Sequence, residues 1–344
     1  MRSDFYFVGS DVHKQMIAYC VKTASGEIVQ EGKVQATRTA LDEWVKGLPG
    51  PWRGGMEATM FSHWIYRHLK PPAEELRMGR PARMKAAITA GKKKSDKLDA
   101  RTIADLPRVN LFPACFVTPA ELEGLRRQMR FRRLVVQETV RFKNKTAGLW
   151  MEVGAEYEGR RLHRKRYFGE WMKSNPAISQ ELRPLLEFNR WQIESLATMD
   201  KQLMRLLQSH GQLSGRVEAL QKTDAVGPVT ALTWALEVGH PKRFGSIQQA
   251  VSYCGRVSAL RESAGQPKRG PLSKQRNHPL PSGLIEAAKM APSLNSKLAE
   301  VYQRACAKGH KNRATVAVAR KLVAYLLAAD RAFFAAQAES KPAA

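Results

Sequence analysis

The order of apolar runs at the start of the chain restricts the fold more than any other feature. Phe5 to Val8 is an apolar strand running into Gly9-Ser10-Asp11, Met16 to Lys22 reads as its hairpin partner, and Glu27 to Gln35 follows the Ser25-Gly26 turn as a third strand. Thr39 is expected to cap a helix through Leu48. After the Pro49-Gly50-Pro51 break, Trp52 to Glu57 is a short strand. Phe61 to Leu69 is a helix with Phe61, Trp64, Ile65 and Leu69 on one face. A sheet covered by helices is therefore expected at the N-terminal end.

The rest of the chain changes character. From Thr118 to Trp150 the pattern is helical and basic, with Leu122, Leu125, Met129, Val136 and Val140 at near-heptad spacing; Leu182 to Leu207 repeats the register with Leu186, Ile193, Leu196, Leu203 and Leu207. The two form a helical hairpin or coiled-coil pair, as an intramolecular spacer or as a dimerisation arm. Between them Gly159 to Phe168, GRRLHRKRYF, reads as a solvated basic face. Lys222 to Ala231 has the form of a helix-hairpin-helix turn, with Ala225 where a first glycine is usual. Gly255 to Pro281 reads as a long basic loop before closing helices. The expected class is α/β plus all-α, in three parts: an α/β domain over residues 1–115, a helical coiled-coil segment over 116–211, and a mainly helical domain over 212–344 with the helix-hairpin-helix-like element.

Composition narrows the partners. In 344 residues, 57 Lys and Arg face 31 Asp and Glu, a net charge of +26, while a 43% hydrophobic content is enough for buried cores. So large an excess points to a polyanion, and nucleic acid is the expected one. Membrane insertion is not expected, because the longest apolar-rich stretch, Ala314 to Gln337, is broken by Arg320, Lys321, Asp330 and Arg331. The first residues lack the pattern of a secretory signal, so a cytoplasmic location, at the nucleoid when active, is expected. Cys20, Cys115, Cys254 and Cys306 are too scattered to suggest zinc or a disulfide framework.

The acids stand out against this basic background. Two-metal phosphodiester chemistry needs carboxylates converging on divalent ions that contact both the attacking and the leaving oxygen. Asp11 ends the first strand beside Gly9, and Glu57 ends the fourth after Gly54-Gly55. Asp96 and Asp99, three apart in KKKSDKLDA, project from one face of a helix that Ser95 caps. Three strands, a helix, a strand carrying an acid and another helix is also the opening order of the ribonuclease-H-like fold, in which the first and fourth strands are neighbours. Phosphate contacts are expected from Lys92, Lys93 and Lys94, from Arg126, Arg127, Arg130, Arg132, Arg133 and Lys143 on the long basic helix, and from Arg261, Lys268, Arg269 and Lys274 in the late basic segment.

Together GSDVHK, GGMEAT, KKKSDKLDA, VGPVTA and the late SAGQPKRGPLSK resemble the DEDD transposases of bacterial insertion sequences, specifically the one-hundred-ten (IS110) family. The resemblance covers nearly the whole chain, and the order and spacing of the pieces are more specific than any one of them. It implies a RuvC-like N-terminal domain, a coiled-coil segment and a C-terminal transposase domain with a nucleophilic serine. It also implies Mg2+ at Asp11, Glu57, Asp96 and Asp99, donor and target DNA as substrates, and a structured bridge RNA as guide. A homodimer or homotetramer is expected. The serine falls at Ser263, with Ala264 separating it from Gly265, so Ser258 and Ser273 stay as alternatives. Ser95 stands where the family has threonine, and Gln275-Arg276-Asn277 lacks the glycine common after Ser273-Lys274.

A serine nucleophile suits strand exchange because a phosphoserine link conserves the phosphodiester's energy for rejoining. Arg261, Lys268 or Lys274 could neutralise charge in the transition state. Two other classes fit the composition. A two-metal hydrolytic nuclease of the junction-resolvase kind would leave no protein-DNA adduct. A non-enzymatic nucleic-acid-binding protein would need no metal and would ignore Asp11→Asn.

Overall fold

The structure is a computed structural model that describes residues 5–88, 95–263, 266–272 and 276–339. The chain divides into two compact units, the first ending at Val117 and the second starting at Thr118.

The first unit is built on a five-stranded mixed sheet. Its strands are β1 (Tyr6–Val12), β2 (Met16–Lys22), β3 (Ile28–Gln35), β4 (Trp52–Glu57) and β5 (Glu75–Gly79), in the order β3-β2-β1-β4-β5. The meander β1-β2-β3 is antiparallel, whereas β4 pairs parallel to β1 and β5 parallel to β4. Residue alternation divides β1 between two faces. Val8 and Val12 join Ile17, Val21, Leu41, Trp44, Trp52, Met56, Ile65 and Leu69 in one core beneath α1 (Arg38–Lys46) and α2 (Ser62–Leu69). The opposite face receives α4 (Asp96–Arg108), which follows α3 (Pro81–Ile88). Thr37, not Thr39, caps α1: its Oγ1 accepts from the Ala40 amide at 3.3 Å, because the extended residue lies two positions earlier than the pattern suggests. β5 and α3 have no counterpart in the sequence reading; five residues carry too short an alternation to stand out.

The second unit is helical apart from one hairpin. It comprises α5 (Ala120–Glu152), α6 (Lys165–Ser174), α7 (Leu182–Gln208), α8 (Gly211–Gln221), α9 (Pro228–Val238), α10 (Ile247–Tyr253), the strands β6 (Ser258–Ser263) and β7 (Gln266–Leu272), then α11 (Leu280–Leu294), α12 (Ser296–Ala307) and α13 (Lys311–Glu339). Helices α5 and α7 pack antiparallel. Leu149 and Trp150 at the end of α5 share a core with Leu182 and Leu186 at the start of α7, and Leu125 and Met129 share another with Leu207. That second core also holds Leu220, Leu232, Trp234, Leu236 and Leu327, so the long helices merge into the C-terminal helices. The basic run between them is less solvated than its composition suggests. Leu162 and Phe168 are buried and Trp150 contacts Phe168 and Trp171, while Arg160, Arg161 and Arg166 stay exposed.

One further departure and one agreement concern the C-terminal half. The stretch expected to be a loop from Gly255 to Pro281 contains the antiparallel pair β6-β7, with Ser258 opposite Leu272 and Ser263 opposite Gln266. Pro267 and Pro271 hid it, since proline argues against a strand in general but is tolerated where each strand is an edge. Between α8 and α9, Ala225 takes the glycine conformation with φ 65°, Gly227 is the N-cap and Pro228 begins α9. Among the described residues no helix is long and apolar enough to cross a membrane, and all four cysteines are free thiols.

Candidate active site

Asp11 and Glu57 lie at the carboxyl ends of neighbouring parallel strands, one residue beyond the last registered pair, Ser10 with Met56. Ser10 and Met56 face the core under α1 and α2, so Asp11 and Glu57 face the α4 side together with Gly9 and Gly55. The glycines are what admit the next layer. A Cβ on Gly9 would stand 2.2 Å from the Ala100 carbonyl oxygen and the Ala104 nitrogen, and one on Gly55 would stand 2.2 Å from the Phe112 ring. Backbone of α4 therefore lies directly against β1, with Ala100, Ala104, Ala18 and Cys20 as the small residues between.

Helix α4 is held at both ends. Ser95 Oγ accepts from the Leu98 amide, as expected. Arg101 grips Glu31 on β3 with two bonds of 2.8 and 2.9 Å, Lys97 reaches the same carboxylate at 2.5 Å, and Lys22 on β2 meets Asp105 at 2.5 Å. This docking presents Asp99, buried, and Asp96, half-exposed, toward the end of β1.

The electrostatics around Asp11 set burial and two acids against one imidazole. Burial pushes the Asp11 carboxyl above its ordinary value; His13 opposes this, and Asp99 and Asp96 add to it. His13 Nε2 lies 3.2 Å from Asp11 Oδ2 and 3.4 Å from Asp96 Oδ1, and Lys33 Nζ lies 3.6 Å from Asp96 Oδ2. One ligand atom from each of Asp11, His13 and Asp96 falls within 4.8 Å of the others. A buried carboxylate, a half-exposed one and an imidazole form a donor set that suits a divalent cation, while Asp99 acts on Asp11 electrostatically and neither it nor Glu57 is part of that three-atom group. The sequence reading did not single out His13, although the signal was present: a residue two positions beyond Asp11, just past the strand end, can return to the same face.

The expected nucleic-acid contacts divide by environment. Arg126 and Arg130 both meet Glu237, a buried acid on α9, at 2.8 and 2.7 Å. Burial works against Glu237 ionising, but Arg130 and Arg126 outweigh it and hold its carboxyl below the usual range. Asn277 and Tyr253 complete the network: the Asn277 amide donates to Glu237 Oε2 at 2.7 Å, and the Tyr253 hydroxyl donates to the Glu237 carbonyl at 2.8 Å. Arg132 pairs with Asp200 at 2.6 Å, Arg133 donates to the His278 carbonyl at 2.8 Å, and Arg127, 78% exposed, reaches Glu123 at 3.4 Å. A guanidinium has donors enough for an acid and a phosphate together, yet Arg126 and Arg132, at 19% and 14% exposure, have little surface to offer. Lys143 is half-buried on α5. Lys92, Lys93, Lys94, Ser273 and Lys274 lie outside the described residues. For Ser258, Arg261, Ser263, Lys268 and Arg269 the backbone is described, on β6 and β7, and Ser263 closes that hairpin opposite Gln266.

Comparison with known proteins converges on one assignment. A DEDD-type IS110 family model described as a transposase matches residues 8–152, and a second, described as the transposase IS116/IS110/IS902 family, matches residues 217–303. A Sinorhizobium fredii protein named as a transposase, y4qE, is 24% identical over 360 residues, covering 94% of this chain and 88% of its own length. A Pseudomonas aeruginosa protein named as a family 20 transposase is 25% identical over 260 residues, covering 74% of this chain and 75% of its own. The first match holds the acid-bearing strands and α4, the second holds α9 and the β6-β7 hairpin, and the chain belongs to the IS110 family of transposases.

Proposed function

We propose that this transposase cuts and rejoins DNA through a phosphoserine intermediate formed by Ser263, with Mg2+ held by Asp11, Glu57, Asp96 and Asp99. The observation that carries the reading is the gathering of acids where two parallel strands end beneath α4, on a sheet ordered β3-β2-β1-β4-β5. That order, with the first three strands antiparallel, β4 parallel to β1 and β5 parallel to β4, is the basis for reading the unit as ribonuclease-H-like. Bound there, a divalent ion supplies positive charge to the phosphodiester oxygens and eases deprotonation of a hydroxyl.

The chain's own residues supply the exchange. Ser263 Oγ attacks phosphorus, a P–O bond to the DNA sugar breaks, and the departing sugar oxygen takes up a proton. A sugar hydroxyl of another strand then attacks the phosphoserine, forming the new diester and returning the serine. A hairpin end suits this role, because Ser263 closes a two-stranded element with two residues to Gln266. Arg261, Lys268, Arg269 and Lys274 share its basic segment and would counter phosphate charge. Lys92, Lys93, Lys94, Arg127, Arg133 and Lys143 would hold the DNA or the RNA backbone, with secondary help from Arg126, Arg130 and Arg132. The turn before α9, with Gly227 as N-cap and Pro228 opening the helix, would offer a helix N-terminus to phosphate in the manner of a helix-hairpin-helix element.

Guidance by a structured bridge RNA extends the family resemblance, and a homodimer or homotetramer is supported by the exposed Phe131, Val140, Phe188 and Trp191 on α5 and α7. Functionally the chain is read in three parts, 1–115, 116–211 and 212–344. Trapping on a junction substrate tests the chemistry: a covalent DNA-peptide adduct should map to Ser263, and Ser263→Ala should abolish it without loss of folding. Cleavage by Ser263→Ala, or an adduct at Ser258 or Ser273, overturns the assignment. Retention of one defined transcript through a high-salt wash tests guidance, and heterogeneous RNA would remove its support.

A further inference from the structure

His13 follows β1 directly, and its placement is fixed by the backbone. Val12 pairs with Ile17, and the His13 amide donates to the Met16 carbonyl at 3.0 Å, closing the β1-β2 turn. The ring is thereby returned over the end of the strand to meet acids from two elements, Asp11 on β1 and Asp96 at the start of α4. One imidazole nitrogen offers either one proton or one lone pair, so it cannot satisfy both carboxylates as a hydrogen-bond donor at full strength. Adjacent ligands on an ion with bonds of about 2.1 Å stand about 3.0 Å apart. The N···O separations of 3.2 and 3.4 Å are close to that edge length. Lys33, 3.6 Å from the other Asp96 oxygen, lies outside this three-atom group.

We propose that His13 Nε2 is a metal ligand alongside Asp11 and Asp96, giving the site a nitrogen donor and a tighter hold on later first-row ions than the carboxylates alone would give. This rests on the carboxylate-metal reading above and adds to it. Magnesium favours oxygen donors and retained water, whereas an imidazole strengthens binding along the order Mn2+, Co2+, Ni2+. A histidine that merely orients Asp11 through a hydrogen bond would change none of these preferences.

The test uses the full chain stripped of divalent ions, with Mn2+ as the probe. Pulsed EPR of the bound ion should show coupling to a 14N nucleus. His13→Ala should lose that coupling and bind Mn2+ about tenfold more weakly, while its Mg2+ affinity falls by less than about twofold. The half-exposed position of His13 lets this variant fold, and circular dichroism checks it. Asp11→Asn serves as the control for the carboxylates. Absent nitrogen coupling in the unaltered protein, or coupling or affinity unchanged in His13→Ala, overturns the role of His13 while leaving the carboxylate site standing. Unchanged Mn2+ binding by Asp11→Asn instead removes the carboxylate site itself.

Discussion

The two units treat their buried acids in opposite ways. In the sheet unit, Asp11 and Asp99 are buried, and Asp11 is flanked by Asp96 and Asp99, with a half-exposed His13 as its nearest counterpart. In the helical unit, Asp330 is fully buried, and Arg216 meets both of its oxygens at 2.8 and 2.7 Å while the Trp234 indole donates at 2.9 Å. Arg216 itself completes its donors on the carbonyls of Ala235 and Gly239. Glu237 is matched in the same manner by Arg130, Arg126 and Asn277. Charge compensated on every side holds a structure together. Acids crowded against one another raise the energy of the folded state and can be relieved by a cation, which is what a metal-dependent site requires.

The largest expected effect breaks the comparison from the helical side. Asp330→Ala leaves Arg216 buried without its partner and should cost about 3–5 kcal/mol in urea unfolding of the full chain. The second test comes from the sheet side and has the opposite sign. Asp11→Asn removes a buried charge that burial and two neighbouring acids oppose, so the melting temperature of the metal-free protein should rise. Strand cleavage should fall by at least about 100-fold. If both substitutions lower stability, the distinction between the units fails.

The smallest effect sharpens the comparison at the surface that holds α4. Hydrogen bonds from Arg101 and Lys97 keep the Glu31 carboxyl at about 2, below its ordinary 4.5. A depressed acid contributes stability that is present above its ordinary value and drains away as pH falls from 4.5 toward 2. Thermal melts across that window should show a shallower acid loss for Glu31→Gln than for the unaltered chain. The difference should be small, since the pair is partly exposed to solvent.

Local patterns made much of the architecture readable. Alternation marked β1, β2, β3 and β4, the Ser95 cap marked the start of α4, and leucine spacing marked α5 and α7. The hairpin β6-β7 was hidden by Pro267 and Pro271, whose local preference an edge position overrides. At the site, the four acids stood out because carboxylates are conspicuous in a basic chain. His13 did not, because its relevance depends on how the turn after β1 aims the ring toward an acid on a helix far along the sequence. That Arg126 and Arg130 also hold Glu237 was not legible, because this partner lies 111 and 107 residues away.

By itself the sequence determined most of the longer strands and helices, the charge excess that points to a polyanion, and which acids stand at element ends. These are properties of neighbouring residues and of summed charge, and they survive without knowledge of the fold. Only the tertiary structure decided which charges are neutralised and which are left facing one another. The free energy of an ionised group depends on its burial and on partners within a few ångströms, and folding brings those partners from distant parts of the chain.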